Sequence, residues 1–196
     1  MKKLHDYYFK RAKEEHYLAR SVYKLDEINR RYRILRKGSS ALDVGCAPGS
    51  WSQYMLKKIG PGRVMGIDIK KSVTVSDPRF SYLQKNLFDI DREFFQENAD
   101  SFDVITSDAA PKTTGQKFTD HQNSLSIVRR VFEISNSVLK DGGTVVAKVF
   151  QGDDLKEFVE SVRGRFERID LCKPKSSRKE SSELFIIAQR KKKPLT

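Results

Sequence analysis

SSALDVGCAPGSWSQYMLKKI, residues 39–59, runs from an apolar stretch through an acid and a glycine-bearing turn into an amphipathic helix. A buried strand feeding a helix in this way opens a βαβ unit. Glycines let the backbone turn tightly beside a ligand. No glycine stands midway between Gly45 and Gly49, so the stretch departs from the G-x-G-x-x-G fingerprint, and no lysine follows as in a phosphate-binding loop. Neither a pyrophosphate nor a triphosphate is the natural ligand. Asp43 lies at the end of a buried strand, where an ionised carboxylate needs a cationic or hydrogen-bonding partner, such as an amino-acid ammonium. The next strand, RVMGIDI, ends with Asp68, where a carboxylate can hold a ribose diol. Asp43, Gly45, Gly49 and Asp68 together describe a nucleoside with an amino-acid tail, and S-adenosylmethionine is the expected cofactor. The bland alternative is a structural turn and helix cap.

Outward from that turn the pattern repeats. Val22, Leu25, Ile28 and Tyr32 recur at helical spacing in a segment from Ser21 to about Tyr32. FSYLQKNL and SFDVITSD predict a third and a fourth strand. A long helix is expected from about Asp120 to Leu139, ended by KDGG, and TVVAKVF is a fifth strand. Asp153 or Asp154 can cap the helix that follows. RFERIDLCK and SELFIIAQR are the last two strands, joined by the polar, basic PKSSRKES. That link is too short for a crossover helix, so the two pair antiparallel. Alternating strands and helices give an α/β sheet covered on both faces, and the near-continuous apolar strands agree with a mostly parallel core. One domain over 1–196 is expected, with a core of about 19–190, a basic segment 1–18 and a mobile basic tail 190–196.

Net charge is +12 at pH 7. Residues 1–37 hold 12 Lys/Arg against 5 Asp/Glu, residues 163–196 hold 11 against 4, and the middle holds 15 against 17. Excess positive charge in two terminal blocks points to a polyanion, most simply nucleic acid, although a basic surface can also serve solubility alone. Aromatic residues interleave with it in YYFKR and RRYR, where they can stack on bases or simply pack. Two cysteines and three scattered histidines make neither a disulfide framework nor a metal cluster, so no metal is expected and a reducing cytoplasm fits. The apolar runs are too short for a membrane span, and the basic start has no apolar centre of a signal peptide.

ARSVYKLDEI, ALDVGCAPGSWSQ, GRVMGIDI, DVITSDAAP, GGTVVAKVFQG and KPKSSRKESSELFIIA, in this order and spacing, resemble the FtsJ/RrmJ family of RNA 2′-O-ribose methyltransferases from about Ala19 to Arg190. The resemblance implies a Rossmann-like class I methyltransferase fold, a seven-stranded mixed sheet with its last strand antiparallel and helices on both faces. It implies a catalytic set that maps onto Lys24, Asp108, Lys148 and Glu183. Cofactor contacts map onto Gly49, Trp51, Asp68 and Asp108, and Gly45 and Pro48, in the same turn as Gly49, are expected beside the cofactor. The family usually has an acid at Asn86, read as contacting the adenine amino group; an amide carbonyl can accept the same bond, more weakly. Cys46 stands where alanine is common and Lys112 where asparagine is common. Arg20, Arg30, Arg31, Arg33, Lys112, Arg178 and Lys179 are the expected RNA contacts. The implied substrate is a uridine in the A-loop of large-subunit ribosomal RNA, met by a cytoplasmic monomer in an assembled or assembling subunit. The alternatives are the transfer RNA anticodon loop and, more distantly, a non-catalytic RNA-binding protein on the same fold.

A ribose hydroxyl is a poor nucleophile and needs a base or an oriented proton acceptor. Lys148, near the end of TVVAKVF, can point into the cleft above the sheet, with Lys24 as a second cation and Glu183 fixing both. Otherwise Lys148 snorkels and Lys24 is merely solvated.

Overall fold

The computed structural model describes residues 2–71, 73–90, 94 and 101–193, with backbone alone for 2–6. The strands are β1 (Ser40–Val44), β2 (Arg63–Asp68), β3 (Phe80–Gln84), β4 (Phe102–Ser107), β5 (Leu139–Phe150), β6 (Phe166–Cys172) and β7 (Glu183–Lys191). They form one sheet in the order β3-β2-β1-β4-β5-β7-β6. The first five pair in parallel, and β7 lies antiparallel between β5 and β6. The expected class I methyltransferase architecture is what forms.

The helices are α1 (Lys2–Glu14), α2 (Val22–Tyr32), α3 (Ser50–Ile59), α4 (Lys117–Val138) and α5 (Asp154–Arg163). Strand alternation divides the core between two layers. Val146, Phe185 and Ile187 face α2 and α3, whereas Val145, Ala147, Val149, Ile186 and Ala188 face α4 and α5. Both layers are apolar, which is why these strands read as continuous hydrophobic runs. The chain moves outward from β1 in both directions, leaving a crevice over the carboxyl ends of β1 and β4.

Three expectations shift. The basic start contains α1, whose Ala12 is buried and whose Tyr8 ring lies 5.2 Å from that of Tyr23. β5 begins at Leu139 with no intervening turn: Phe102 pairs with Leu139 and Val104 with Thr144, so KDGG forms a bulge with Gly142 at φ 76°. The tail is ordered through Lys191, whose Nζ donates to the carbonyls of Ser135, Asn136 and Leu139 at 2.7–3.0 Å. Those are carbonyls at the C-terminal end of α4, which a cation suits. Of the expected mobile tail 190–196, residues 194–196 lie outside the described residues.

Candidate active site

The glycine turn is built for close approach. Gly45 has φ 72°, and a Cβ there would lie 2.6 Å from the Cβ of Ala109, in the segment leaving β4. The Gly45 and Cys46 N–H groups donate to the Ile67 carbonyl, and Ala47 N–H donates to Asp68 Oδ2 at 2.9 Å. Asp68 Oδ1 accepts from Lys70 N–H at 3.0 Å. The carboxylate is thus oriented by backbone donors at the rim of an open cleft of about 740 Å³. Gly45, Asp68, Asn86, Asp108 and Lys112 are among its lining residues. That volume suits a nucleoside-sized ligand. Asn86 caps a 3-10 turn, its Oδ1 accepting from Phe88 N–H at 3.2 Å. Ile69 and Phe88, both largely exposed, line the same cleft and supply apolar surface for a flat base.

Four expected cofactor residues, Asp43, Pro48, Gly49 and Trp51, are not among the residues that line this cleft. Asp43 is 1% exposed; Ser52 Oγ donates to its Oδ2 at 2.6 Å and Thr106 Oγ1 to its Oδ1 at 3.0 Å. Two hydroxyls meet the need for which an ammonium was expected, and the carboxyl ties α3 to β1 and β4. Trp51 is also buried: its Nε1 donates to the Ser21 carbonyl at 2.8 Å and its ring packs near Phe185, so its indole holds the start of α2. Gly49, at φ 117°, backs onto Val75, whose Cγ2 would lie 2.4 Å from an added Cβ. Pro48 is exposed at the turn and is not among the cleft-lining residues.

Burial pushes the Asp43 carboxyl up from the ordinary 3.8 to about 7, against the two hydroxyl bonds, with Asp108 and Asp68 adding to the rise. A carboxyl raised on folding contributes fully below its unfolded value and loses that contribution as pH climbs through the folded one. Asp43→Asn cannot ionise. The parent's melting temperature relative to this variant is expected to fall between about pH 4 and about pH 7. A constant difference across that window, by scanning calorimetry, would contradict the buried carboxyl.

Beside the cleft four charged side chains converge. Lys148 pairs in register with Phe185, and Phe150 with Glu183, so Lys148 and Glu183 share the α2-facing side of the sheet. Lys148 Nζ lies 2.9 Å from Asp108 Oδ1 and donates to the Asp108 carbonyl at 2.5 Å. Asp108 Oδ1 itself receives no well-aligned hydrogen bond. Lys24 Nζ holds both Glu183 oxygens, at 2.7 and 2.8 Å, and stands 4.0 Å from Asp108 Oδ1. Burial alone would raise the Glu183 carboxyl; Lys24, by charge and hydrogen bond, and the Lys148 charge outweigh it and hold the group below its ordinary value. Two cations and two carboxylates in a half-dry corner make a charge-balanced cluster in which each fixes the next.

The expected RNA contacts divide. Arg20 lies within electrostatic reach of Arg178 and Glu183; burial first, then Arg178, lowers its pKa. Lys112 lines the cleft, and Arg178 and Lys179 are exposed on the β6–β7 connection. Arg30, Arg31 and Arg33 instead ring the far end of α2, about 10 Å or more along the helix axis from Lys24. There Arg30 pairs with Asp26 at 2.9 Å and Arg31 lies over the buried Tyr32 ring. These three are not brought to the cleft. Among the described residues no cluster of three or more His, Cys, Asp or Glu is arranged to hold a metal, and no helix is long and apolar enough to cross a membrane.

The model of the FtsJ-like methyltransferase family matches residues 17–191. A protein of Oleidesulfovibrio alaskensis named ribosomal RNA large subunit methyltransferase E is 46% identical, over 95% of this chain and 92% of its own length. A protein of the same name from Brachyspira hyodysenteriae is 43% identical, over 98% of this chain and 99% of its own. Among solved structures, a chain from Plasmodium falciparum provisionally assigned as a ribosomal RNA methyltransferase superposes with a TM-score of 0.75 at 27% identity, covering 89% of this chain and 98% of that one. A chain from Streptococcus thermophilus provisionally assigned as a hemolysin, 16% identical with a TM-score of 0.65, shares the fold and covers 90% of this chain and 67% of that one. A family match spanning the glycine turn, the cleft and the charged cluster, with relatives alike over nearly their whole length, makes this chain a member of the FtsJ-like methyltransferase family.

Proposed function

We propose that the chain transfers the methyl group of S-adenosylmethionine to a ribose 2′-hydroxyl of large-subunit ribosomal RNA, with an A-loop uridine as its target. The observation that carries this reading is the position of Asp108. It lines the cleft that also holds Gly45, Asp68 and Asn86, and it pairs with Lys148 at 2.9 Å. A nucleoside-sized cleft and a lysine-rich cluster therefore meet at one residue. The relatives named as large-subunit ribosomal RNA methyltransferases support the same substrate.

S-adenosylmethionine fits the cleft chemically: Asp68 offers a charged acceptor to a ribose diol, Asn86 an amide to an adenine edge, and Ile69 and Phe88 apolar faces to the ring. When bound it supplies an electrophilic methyl on a sulfonium. Lys148 directs the 2′-oxygen along the line of attack: as a neutral amine it would take the hydroxyl proton, and as an ammonium it would orient the oxygen while water takes the proton. Lys24 adds a second donor, and Glu183 fixes Lys24. Alignment is the larger part of the task, because in-line transfer depends steeply on the placement of the reacting atoms. Arg20, Lys112, Arg178 and Lys179 surround this corner and hold the RNA backbone. We assign the protein to the cytoplasm, acting as a monomer on an assembled or assembling subunit without a metal.

Incubating the protein with labelled cofactor and, separately, with large-subunit particles, free ribosomal RNA and transfer RNA tests the substrate. Label in the large-subunit RNA is expected, and label in transfer RNA alone would defeat the reading. Reversing Arg178 and Lys179 is expected to weaken RNA binding and flatten its salt slope by about 0.7–0.9 for each phosphate left without its cation. The same change at Arg30, Arg31 and Arg33 is expected to have a smaller effect. Equal effects, by titration across salt concentrations, would place the RNA along the whole of α2.

A further inference from the structure

The connection between β6 and β7, residues 173–182, is polar and basic, yet its first half is not free. Ser176 is 4% and Ser177 is 3% exposed. Glu27 on α2 holds it there: Oε2 accepts from Lys175 N–H at 2.6 Å and Oε1 from Ser176 N–H at 2.9 Å. Hydrogen bonds to a carboxylate are about twice as strong as neutral ones, and this group takes two adjacent backbone donors. The second half is tied back to the first residue of the connection, with Lys173 Nζ donating to the carbonyls of Lys179 at 3.2 Å and Ser181 at 2.7 Å. The connection then delivers Glu183 to Lys24.

Glu27 and Lys24 are three residues apart on α2 and so share a helix face. One face therefore grips the connection twice, at its start through Glu27 and just past its end through Lys24. Between the two grips lie Arg178 and Lys179. We propose that Glu27 is a positioning residue for methyl transfer: by clamping the start of this connection to α2, it sets the Lys24–Glu183 pair and the basic residues beside it. The proposal rests on the reading that this pair serves the transfer reaction. Glu27 acts through the backbone and touches no reacting atom.

The test uses the full chain, with single-turnover methylation of large-subunit ribosomal RNA at saturating RNA and cofactor, calorimetry of S-adenosylmethionine binding, and amide hydrogen exchange. Glu27→Ala is expected to lose exchange protection at Lys175 and Ser176 and to slow the saturated rate roughly 10- to 100-fold. Its cofactor affinity should hold, because the cleft lies over β1, β2 and β4. Glu27→Gln keeps one carbonyl acceptor and should recover part of the rate. A merely structural Glu27 would lower the melting temperature and leave the saturated rate of the folded protein unchanged, and that result overturns the proposal. A loss confined to cofactor affinity overturns it too. Should Glu27→Ala fail to fold, Glu27→Gln decides alone: a lowered rate with weakened protection supports the clamp, and a parental rate overturns it. Failure of the functional reading shows in the parent, which then methylates no ribosomal RNA; failure of the clamp shows only in the variants.

Discussion

Lys148→Ala is expected to lose about 10²–10⁴-fold in the single-turnover rate of methyl transfer while binding S-adenosylmethionine as the parent does. The size follows from what the side chain can do for a weak nucleophile. Its Nζ is placed by two contacts to Asp108, one with the carboxylate and one with the carbonyl, and its neighbours along the strand, from Val145 to Phe150, are all apolar. Affinity should survive, because Lys148 is not among the residues lining the cleft. Lys148→Arg is expected to fail almost as badly. A planar guanidinium cannot repeat a point donor held at 2.5 Å from a carbonyl, and it does not release a proton in the working range. Rates measured against pH on the correct RNA check both variants. A near-parental Lys148→Arg would exclude proton transfer to this side chain and leave it an orienting role. A near-parental Lys148→Ala would remove Lys148 from the reaction.

Asp68→Ala should do the reverse. It takes away the carboxylate that two backbone donors aim at the cleft rim. Bonds between a charged group and a ligand are worth roughly 1.5–3 kcal/mol each. Loss of a ribose diol pair is thus expected to weaken S-adenosylmethionine binding by about 10²-fold or more. The single-turnover rate at saturating cofactor should fall far less. Calorimetry measures the first and quenched-flow the second. Parental affinity in Asp68→Ala would mean that the ribose is held elsewhere. Asn86→Asp is a companion test at the adenine end. A charged acceptor should tighten binding; unchanged or weaker affinity would show that the Asn86 amide, already capping the turn at Phe88, does not face the base.

The strands were legible because both faces of the sheet are covered. A run such as TVVAKVF alternates between two apolar layers, so it reads as continuous, and its one lysine stands out. The antiparallel ending was legible from the shortness of PKSSRKES. The helix carrying Lys24 was legible because Val22, Leu25, Ile28 and Tyr32 all point inward, and all four are buried. The first helix was hidden: what holds it is the packing of Tyr8 and Ala12 and the Arg11 guanidinium over the Tyr23 ring, 4.6 Å away, and no apolar stripe announces such contacts.

At the site, residue types were easier to read than their partners. Asp43 needed a partner, and an ammonium satisfied that need on paper as well as two hydroxyls did. Thr106 was the available signal, a polar residue directly after the apolar pair Val104 and Ile105, but nothing in one dimension joins it to Asp43. Trp51 was read through the family as a cofactor contact, and nothing in the sequence announced that its indole also braces α2. Glu27 went unnoticed because an acid on a helix face ordinarily meets water; its two donors are 148 and 149 positions away. Arg30, Arg31 and Arg33 were read as RNA contacts from the basic RRYR run, and the length of α2 separates them from the cleft.

The central claim is that the cleft and the lysine cluster act together on one ribose. Its most direct test is a map of ribose methylation across total RNA, by resistance to alkaline cleavage and by mass spectrometry, in cells with and without the gene for this chain. The account predicts the loss of a single 2′-O-methyl group, on a uridine in the A-loop of the large-subunit ribosomal RNA, and its return with the parental protein but not with Lys148→Ala. Loss of a methyl from a base, loss from transfer RNA alone, or an unchanged map would contradict it.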